Sequence, residues 1–170
     1  TEVVSDPGAV VGQENASIDT VGGYEYYVDP IFTGTSAVEV DQISRTPISG
    51  GQKQVVVAGS AVDPTAQRSF GSPVIAPDSN LLAYRETVIR VWQPDPSATG
   101  LPVTAGPTAS IVIRDLDDLG AAPKVAPASV VPSADANSAL LGCSADSTKL
   151  FFVGADGTVK ALTVGSAGTA

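Results

Sequence analysis

Few side chains in this chain have the type and spacing to carry chemistry. Ser144 stands five residues before Lys149 in Ser144-Ala145-Asp146-Ser147-Thr148-Lys149, the nearest approach to a serine nucleophile with a lysine base. A Ser-x-x-Lys pair needs a shorter gap, so this segment reads as a turn rather than a dyad. Asp115, Asp117 and Asp118 gather three carboxylates that in principle could hold Ca²⁺ or Mg²⁺ through oxygen. The run lacks the turn glycine and the distal glutamate of an EF-hand loop; a surface turn is expected, and the sequence leaves cation binding open. Cys143 follows Leu140-Leu141-Gly142 with no neighbouring base to lower its pKa, the setting of a buried structural thiol and not of a nucleophile.

What is missing narrows the chemistry further. The 170 residues include no histidine, no methionine and one cysteine. Without imidazole there is no side chain whose ordinary pKa lies near neutrality, and without a second thiol there is neither a zinc ligand set nor an intramolecular disulfide. The lysines, Lys53, Lys124, Lys149 and Lys160, are scattered. Gly22-Gly23 and Gly50-Gly51 lack the lysine and the strand-to-helix context of a phosphate loop and read as turns. No catalytic, cofactor-binding or metal-binding residue is therefore assigned, no cofactor is expected, and the chain is expected not to be an enzyme.

Charge bears on partners. The net charge is −9, and Glu2, Asp6, Glu14, Asp19, Glu25, Asp29, Glu39 and Asp41 all precede the first base, Arg45. Such an acidic strip repels phosphate and has no compensating basic cluster, so nucleic acid is not an expected partner. No stretch approaches the roughly 18 to 20 apolar residues of a membrane helix, and the acidic start lacks the basic and apolar regions of a secretory signal. Membrane insertion is not expected. A soluble protein is, with the compartment unassigned; a virion or an extracellular surface would suit it.

The elements that must position these residues are predominantly strands. The sequence predicts an extended N-terminal arm over 1–23 with at most one short strand, a single β-rich domain over 24–164 and a loose tail over 165–170. Tyr24, Tyr26 and Val28 alternate with polar neighbours, as do Val38 and Val40, and Gln54–Ala58 is a short β-branched run. Thr33-Gly34-Thr35 is a turn between the first two strands, and a loop runs from Asp63 to Pro77. Ser110–Arg114 is a further strand, and Pro123, Pro127 and Pro132 impose an extended path on the segment after it. Lys149–Val153 and Thr158–Val164 form a hairpin around Asp156-Gly157, whose glycine supplies the positive φ of a tight turn. Residues 78–93 admit two readings: a helix capped at Asp78 or Ser79 and stopped by Pro94, or a hairpin with its turn at Arg85-Glu86-Thr87, the reading favoured by the β-branched Val88–Trp92. The fold class is all-β and mainly antiparallel, sandwich or barrel-like with long Pro/Gly-rich loops and at most one short helix, over 78–93.

Two segments resemble each other. Ala76-Pro77-Asp78-Ser79-Asn80-Leu81-Leu82-Ala83-Tyr84 with Val88–Trp92 parallels Ser144-Ala145-Asp146-Ser147-Thr148-Lys149-Leu150-Phe151-Phe152 with Thr158–Leu162. Both resemble the central hairpin of a WD40 or TolB-like β-propeller blade, in which a Pro-Asp-Gly-like turn precedes a Leu/Ala/aromatic strand. The segments depart from the family in having no Gly-His or Trp-Asp pair, and two ordinary hairpins sharing turn chemistry would look alike. The resemblance implies a protein-interaction scaffold with no catalytic residues to carry over.

The expected function is that of a non-enzymatic structural protein, self-assembling or coating a larger assembly such as a virion decoration, tail or shell. A small propeller-type or sandwich interaction module is the alternative. In either case the expected partners are proteins, copies of this chain or a larger protein assembly.

Overall fold

The computed structural model describes residues 16–32, 39–59, 66–90 and 108–169. The alternating strand of the sequence, Tyr24–Phe32, is the centre of a four-stranded antiparallel meander. In chain order it comprises β1 (Ala16–Asp19), β2 (Tyr24–Phe32), β3 (Glu39–Pro47) and β4 (Gln54–Val57). A second meander runs β5 (Ala66–Ile75), β6 (Leu81–Arg90), β7 (Thr108–Asp115) and the short β8 (Lys124–Val125). A single helical turn, α1 (Ser133–Ala136), follows Pro132 and leads to the third sheet. That sheet is β9 (Leu140–Cys143), β10 (Lys149–Val153) and β11 (Val159–Thr163), after which β12 (Gly168–Thr169) returns to pair with β8 on the second sheet's edge.

The three sheets stack, and the second is the middle layer. Period-two alternation makes this possible: successive residues of a strand point to opposite faces, so β6 and β7 can serve two cores at once. Leu82 and Tyr84 of β6 and Val112 of β7 join Tyr26, Val28, Ile43, Val56, Val57 and Phe70 in a core between the first and second sheets. Ala83 of β6 and Ile111 and Ile113 of β7 point the other way, into a core with Leu140, Leu150, Phe152 and Leu162 of the third sheet and Ala136 of α1. Aromatic pairing adds to the first core, where the rings of Phe70 and Tyr84 meet edge to face with centroids 5.3 Å apart. Strand β5 packs against β1, β2 and β3 on one side and β9 on the other.

The all-β, antiparallel, sandwich-like class is what forms, with three corrections in detail. Residues 81–90 are one uninterrupted strand, neither a helix nor a hairpin turning at Arg85–Thr87. Tertiary pairing explains this: every residue from Leu81 to Val88 has a partner on β7, while Ala66–Gly71 pair from the other side, so there is nowhere for the chain to turn. The helical turn lies instead at 133–136, opened by Pro132; the expected extended path before it holds at β8 but not after Pro127, whose carbonyl accepts from the Val130 and Val131 N–H groups in a turn. The segment from Asp63 to Pro77 is not a loop throughout: β5 occupies Ala66–Ile75 despite Gly71 and Pro73, because a bulge between Gly71 and Val74 takes the proline out of the ladder.

The first sheet begins at Ala16, inside the predicted arm, and Gly168–Thr169 of the predicted tail pair with β8. The hairpin around Asp156-Gly157 forms as expected, its second strand spanning Val159–Thr163, with Val153 opposite Val159 and Gly157 at φ 77°. The turn at Thr33-Gly34-Thr35, the last part of the 78–93 segment (Val91 to Gln93), the connection from Pro94 to Pro107 and residues 1–15 lie outside the described residues.

Candidate functional site: locked turns and open sheet faces

The first nine residues of the two self-similar segments fold alike; the parts that follow do not, because Val88–Arg90 continue β6 whereas Val159–Leu162 belong to β11, the return strand of a hairpin. In each, the fourth residue is a serine in the left-handed region, Ser79 at φ 62° and Ser147 at φ 57°. The turns close with the same hydrogen bonds: Ala76 N–H to Leu81 O and Ser79 N–H to Ala76 O in one, Ser144 N–H to Lys149 O and Ser147 N–H to Ser144 O in the other. Leu82 and Leu150, equivalent in the two segments, are both completely buried. Asp146 Oδ1 accepts from the Ser144 hydroxyl at 2.5 Å, the Thr148 hydroxyl at 2.8 Å and the Thr148 N–H at 3.2 Å, which pull its pKa down to about 2.

The turns differ in what reaches them across the stack. Asp19, buried at the end of β1, accepts from the N–H groups of Val21 and Gly22 and, at 2.5 Å, from the hydroxyl of Ser79. The Gly22 N–H also donates to Ser79 Oγ, so the β1–β2 turn is bolted to the β5–β6 turn. Ala76 holds in the second sheet the place that Asp19 holds in the first, five residues before the strand that follows. The buried Ser147 hydroxyl correspondingly has no hydrogen-bond partner among the described residues.

Two further carboxylates are structural. Asp135 of α1, 5% exposed, accepts from the Ala155 N–H at 2.6 Å and from Lys160 Nζ at 2.8 Å, tying α1 to the β10–β11 hairpin. The bond from Lys160, followed by that from Ala155, holds the Asp135 carboxyl below its usual range, and the same contact raises the Lys160 ammonium. On the outer face of the first sheet, Asp29 Oδ2 accepts from Gln42 Nε2, Ser44 Oγ and Lys53 Nζ. Partial burial pushes the Asp29 pKa up, but those donors outweigh it and the net shift is downward.

The residues singled out for chemistry are held in turns or packing. Ser144 Oγ accepts from the Lys149 backbone N–H and donates to Asp146, so its tie to Lys149 is to the backbone. Asp115 Oδ1 accepts from the N–H groups of Asp117 and Asp118, and Asp118 Oδ1 from that of Gly120, so the acidic run is a set of side-chain-closed turns. Among the described residues no three Asp, Glu or Cys side chains converge as metal ligands. Cys143 packs against the second core, and burial, with the Asp78 charge second, pushes its thiol up. Asp19 and Asp135 were not picked out by sequence reasoning. Their only local signal is an acidic residue before a Gly-Gly turn or just after Pro132, and their partners are 60 and 25 residues away.

The remaining candidates are the two end faces of the stack. On the first sheet, Ile18, Tyr27 and Val55 share the face turned away from the second sheet, with Ile18 64% and Val55 49% exposed. On the third, Phe151, Val153, Val159 and Ala161 share the outward face, with Val159 64% exposed, and Leu141 at the β9 bulge is 53% exposed. Among the described residues no helix is long and apolar enough to cross a membrane.

No protein-family profile and no curated protein matches this chain. Matches among solved structures include the following two. The tricorn protease aligns over 89% of this chain and 21% of its own at 10% identity, with a TM-score of 0.39. The hydrazine synthase of Kuenenia stuttgartiensis aligns over 87% of this chain at 15% identity with a TM-score of 0.53; this chain spans only 39% of that one, and the likeness is one of fold.

Proposed function

We propose that this chain is a non-enzymatic protein-interaction module, a run of propeller-type blades acting through the end faces of its sheet stack. The observation that carries this is the placement of exposed apolar side chains: Ile18 and Val55 at one end, Leu141 and Val159 at the other. Branched aliphatic side chains on a regular sheet face suit a second flat face, as each inner pair of sheets here already demonstrates. The blade reading is supported by the repeat, since Ser79 and Ser147, and Leu82 and Leu150, occupy matching places in successive sheets. The hydroxyl, thiol and carboxylates nearest to a reactive arrangement are occupied in turns and packing.

A screen of the purified chain against ester, peptide, glycoside and phosphoester substrates tests this. No turnover above buffer is expected. Turnover that disappears in Ser144→Ala or Asp146→Asn would overturn it.

A further inference from the structure

The stack has a direction, and its register says what fits its ends. Count from the residue that opens each turn: Asp19, Ala76 and Ser144. The fifth and seventh residues onward are Tyr24 and Tyr26, Leu81 and Ala83, and Lys149 and Phe151, and they face the next sheet. The sixth and eighth are Glu25 and Tyr27, Leu82 and Tyr84, and Leu150 and Phe152, and they face the preceding one. At the first interface Tyr24 and Tyr26 share a core with Leu82 and Tyr84. At the second, Leu81 and Ala83 share one with Leu150 and Phe152. Continued once more, the rule sets Lys149 and Phe151 against Glu25 and Tyr27 of another first sheet. Opposite charges meet, and an aromatic ring meets an aromatic ring.

Resting on the interaction-module reading, we infer that the partner is a second copy of this chain, docked head to tail so that the third sheet of each copy packs on the first sheet of the other. The arrangement can close: two copies contribute six of the sheets described here, within the four to eight blades of a closed propeller. Both contacts are the same by twofold symmetry, and the exposed apolar side chains of both end faces are covered. Lys149 and Glu25 have no ion-pair partner among the described residues and are available for the contact. Four of the exposed large apolar side chains, Ile18, Val55, Leu141 and Val159, lie at these two ends; the others, Val21, Ile48, Leu119 and Val130, are in turns.

Sedimentation equilibrium over a wide concentration range tests the inference. The full chain is expected to reach twice the 17.1 kDa of one copy and to stop there. Lys149→Glu and Glu25→Lys should each weaken association about tenfold or more by opposing like charges. The chain carrying both changes restores an opposite pair and should regain most of the affinity. Far-ultraviolet circular dichroism melts identify any variant that fails to fold, and Val159→Asp on the outward face supplies a second, independent disruption. A folded monomer at all concentrations, masses that keep growing with concentration, or no recovery in the doubly changed chain would overturn the closed dimer. Only substrate turnover would overturn the interaction-module reading itself.

Discussion

The hydroxyl of Ser79 donates to Asp19 Oδ1 at 2.5 Å across 60 residues of chain, joining two sheets at their turns. The equivalent Ser147 hydroxyl is buried with no partner among the described residues. The same substitution should therefore have opposite signs in the two copies. Glycine relieves the positive φ at either position. Ser147→Gly also removes an unsatisfied buried hydroxyl and should stabilise by about 1 kcal/mol. Ser79→Gly removes a hydrogen bond to a carboxylate and should destabilise by about 1 to 2 kcal/mol net. Urea unfolding of both variants measures the contrast; equal signs would show that Asp19 contributes nothing across the stack.

Lys160 should matter more than its position on a surface hairpin suggests. Its ammonium reaches the buried Asp135 and lies over Gly154, where an added Cβ would come within 2.5 Å of Lys160 Cε. Lys160→Met leaves Asp135 with a single backbone donor, and Gly154→Ala displaces the lysine. Both should lower the urea midpoint by more than Lys124→Met, which removes an exposed lysine with no ion-pair partner among the described residues. Indistinguishable midpoints for Lys160→Met and Lys124→Met would rule out a structural role for the Asp135 contact.

Stability should depend on pH at both extremes. Asp29, Asp135, Asp146 and Asp156 have folded pKa values below the ordinary 3.8, with Asp146 at about 2. The unfolded chain binds protons first as pH falls, so the stability these groups contribute is complete above roughly pH 5 and is lost progressively toward pH 2. Tyr84 behaves oppositely: burial, with the Glu86 charge second, raises it to about 12. Its contribution, about 2 to 3 kcal/mol from a shift of about two units, is complete below pH 10 and is lost as pH rises through 12. Chemical denaturation as a function of pH checks both limbs, and Asp146→Asn should flatten part of the acid one.

The strands with clean alternation were legible from the sequence. Tyr24–Val28 and the hairpin around Asp156-Gly157 needed only period two and a glycine of positive φ. The turn repeat was legible as a resemblance, because its Asp-Ser pair closes locally. Strand β5 was not, since Gly71 and Pro73 are local breakers and only pairing with β6 around a bulge makes them tolerable. Nor was the continuity of β6 legible: Arg85-Glu86-Thr87 reads as a polar turn until Arg85 is seen reaching the Asn137 carbonyl and Glu86 the Arg68 guanidinium. The same holds for Asp19 and Asp135, whose partners are distant in sequence.

The middle layer has a consequence for how this chain tolerates change. Ile111, Val112 and Ile113 are assigned by turns to two different cores. An insertion or deletion of one residue in β7 would transpose the two sets, delivering to each core the side chains built for the other. A replacement in β7 is therefore a local repair problem, whereas a single-residue length change there is a frameshift in three dimensions. Evolution of this strand should proceed by substitution or by steps of two.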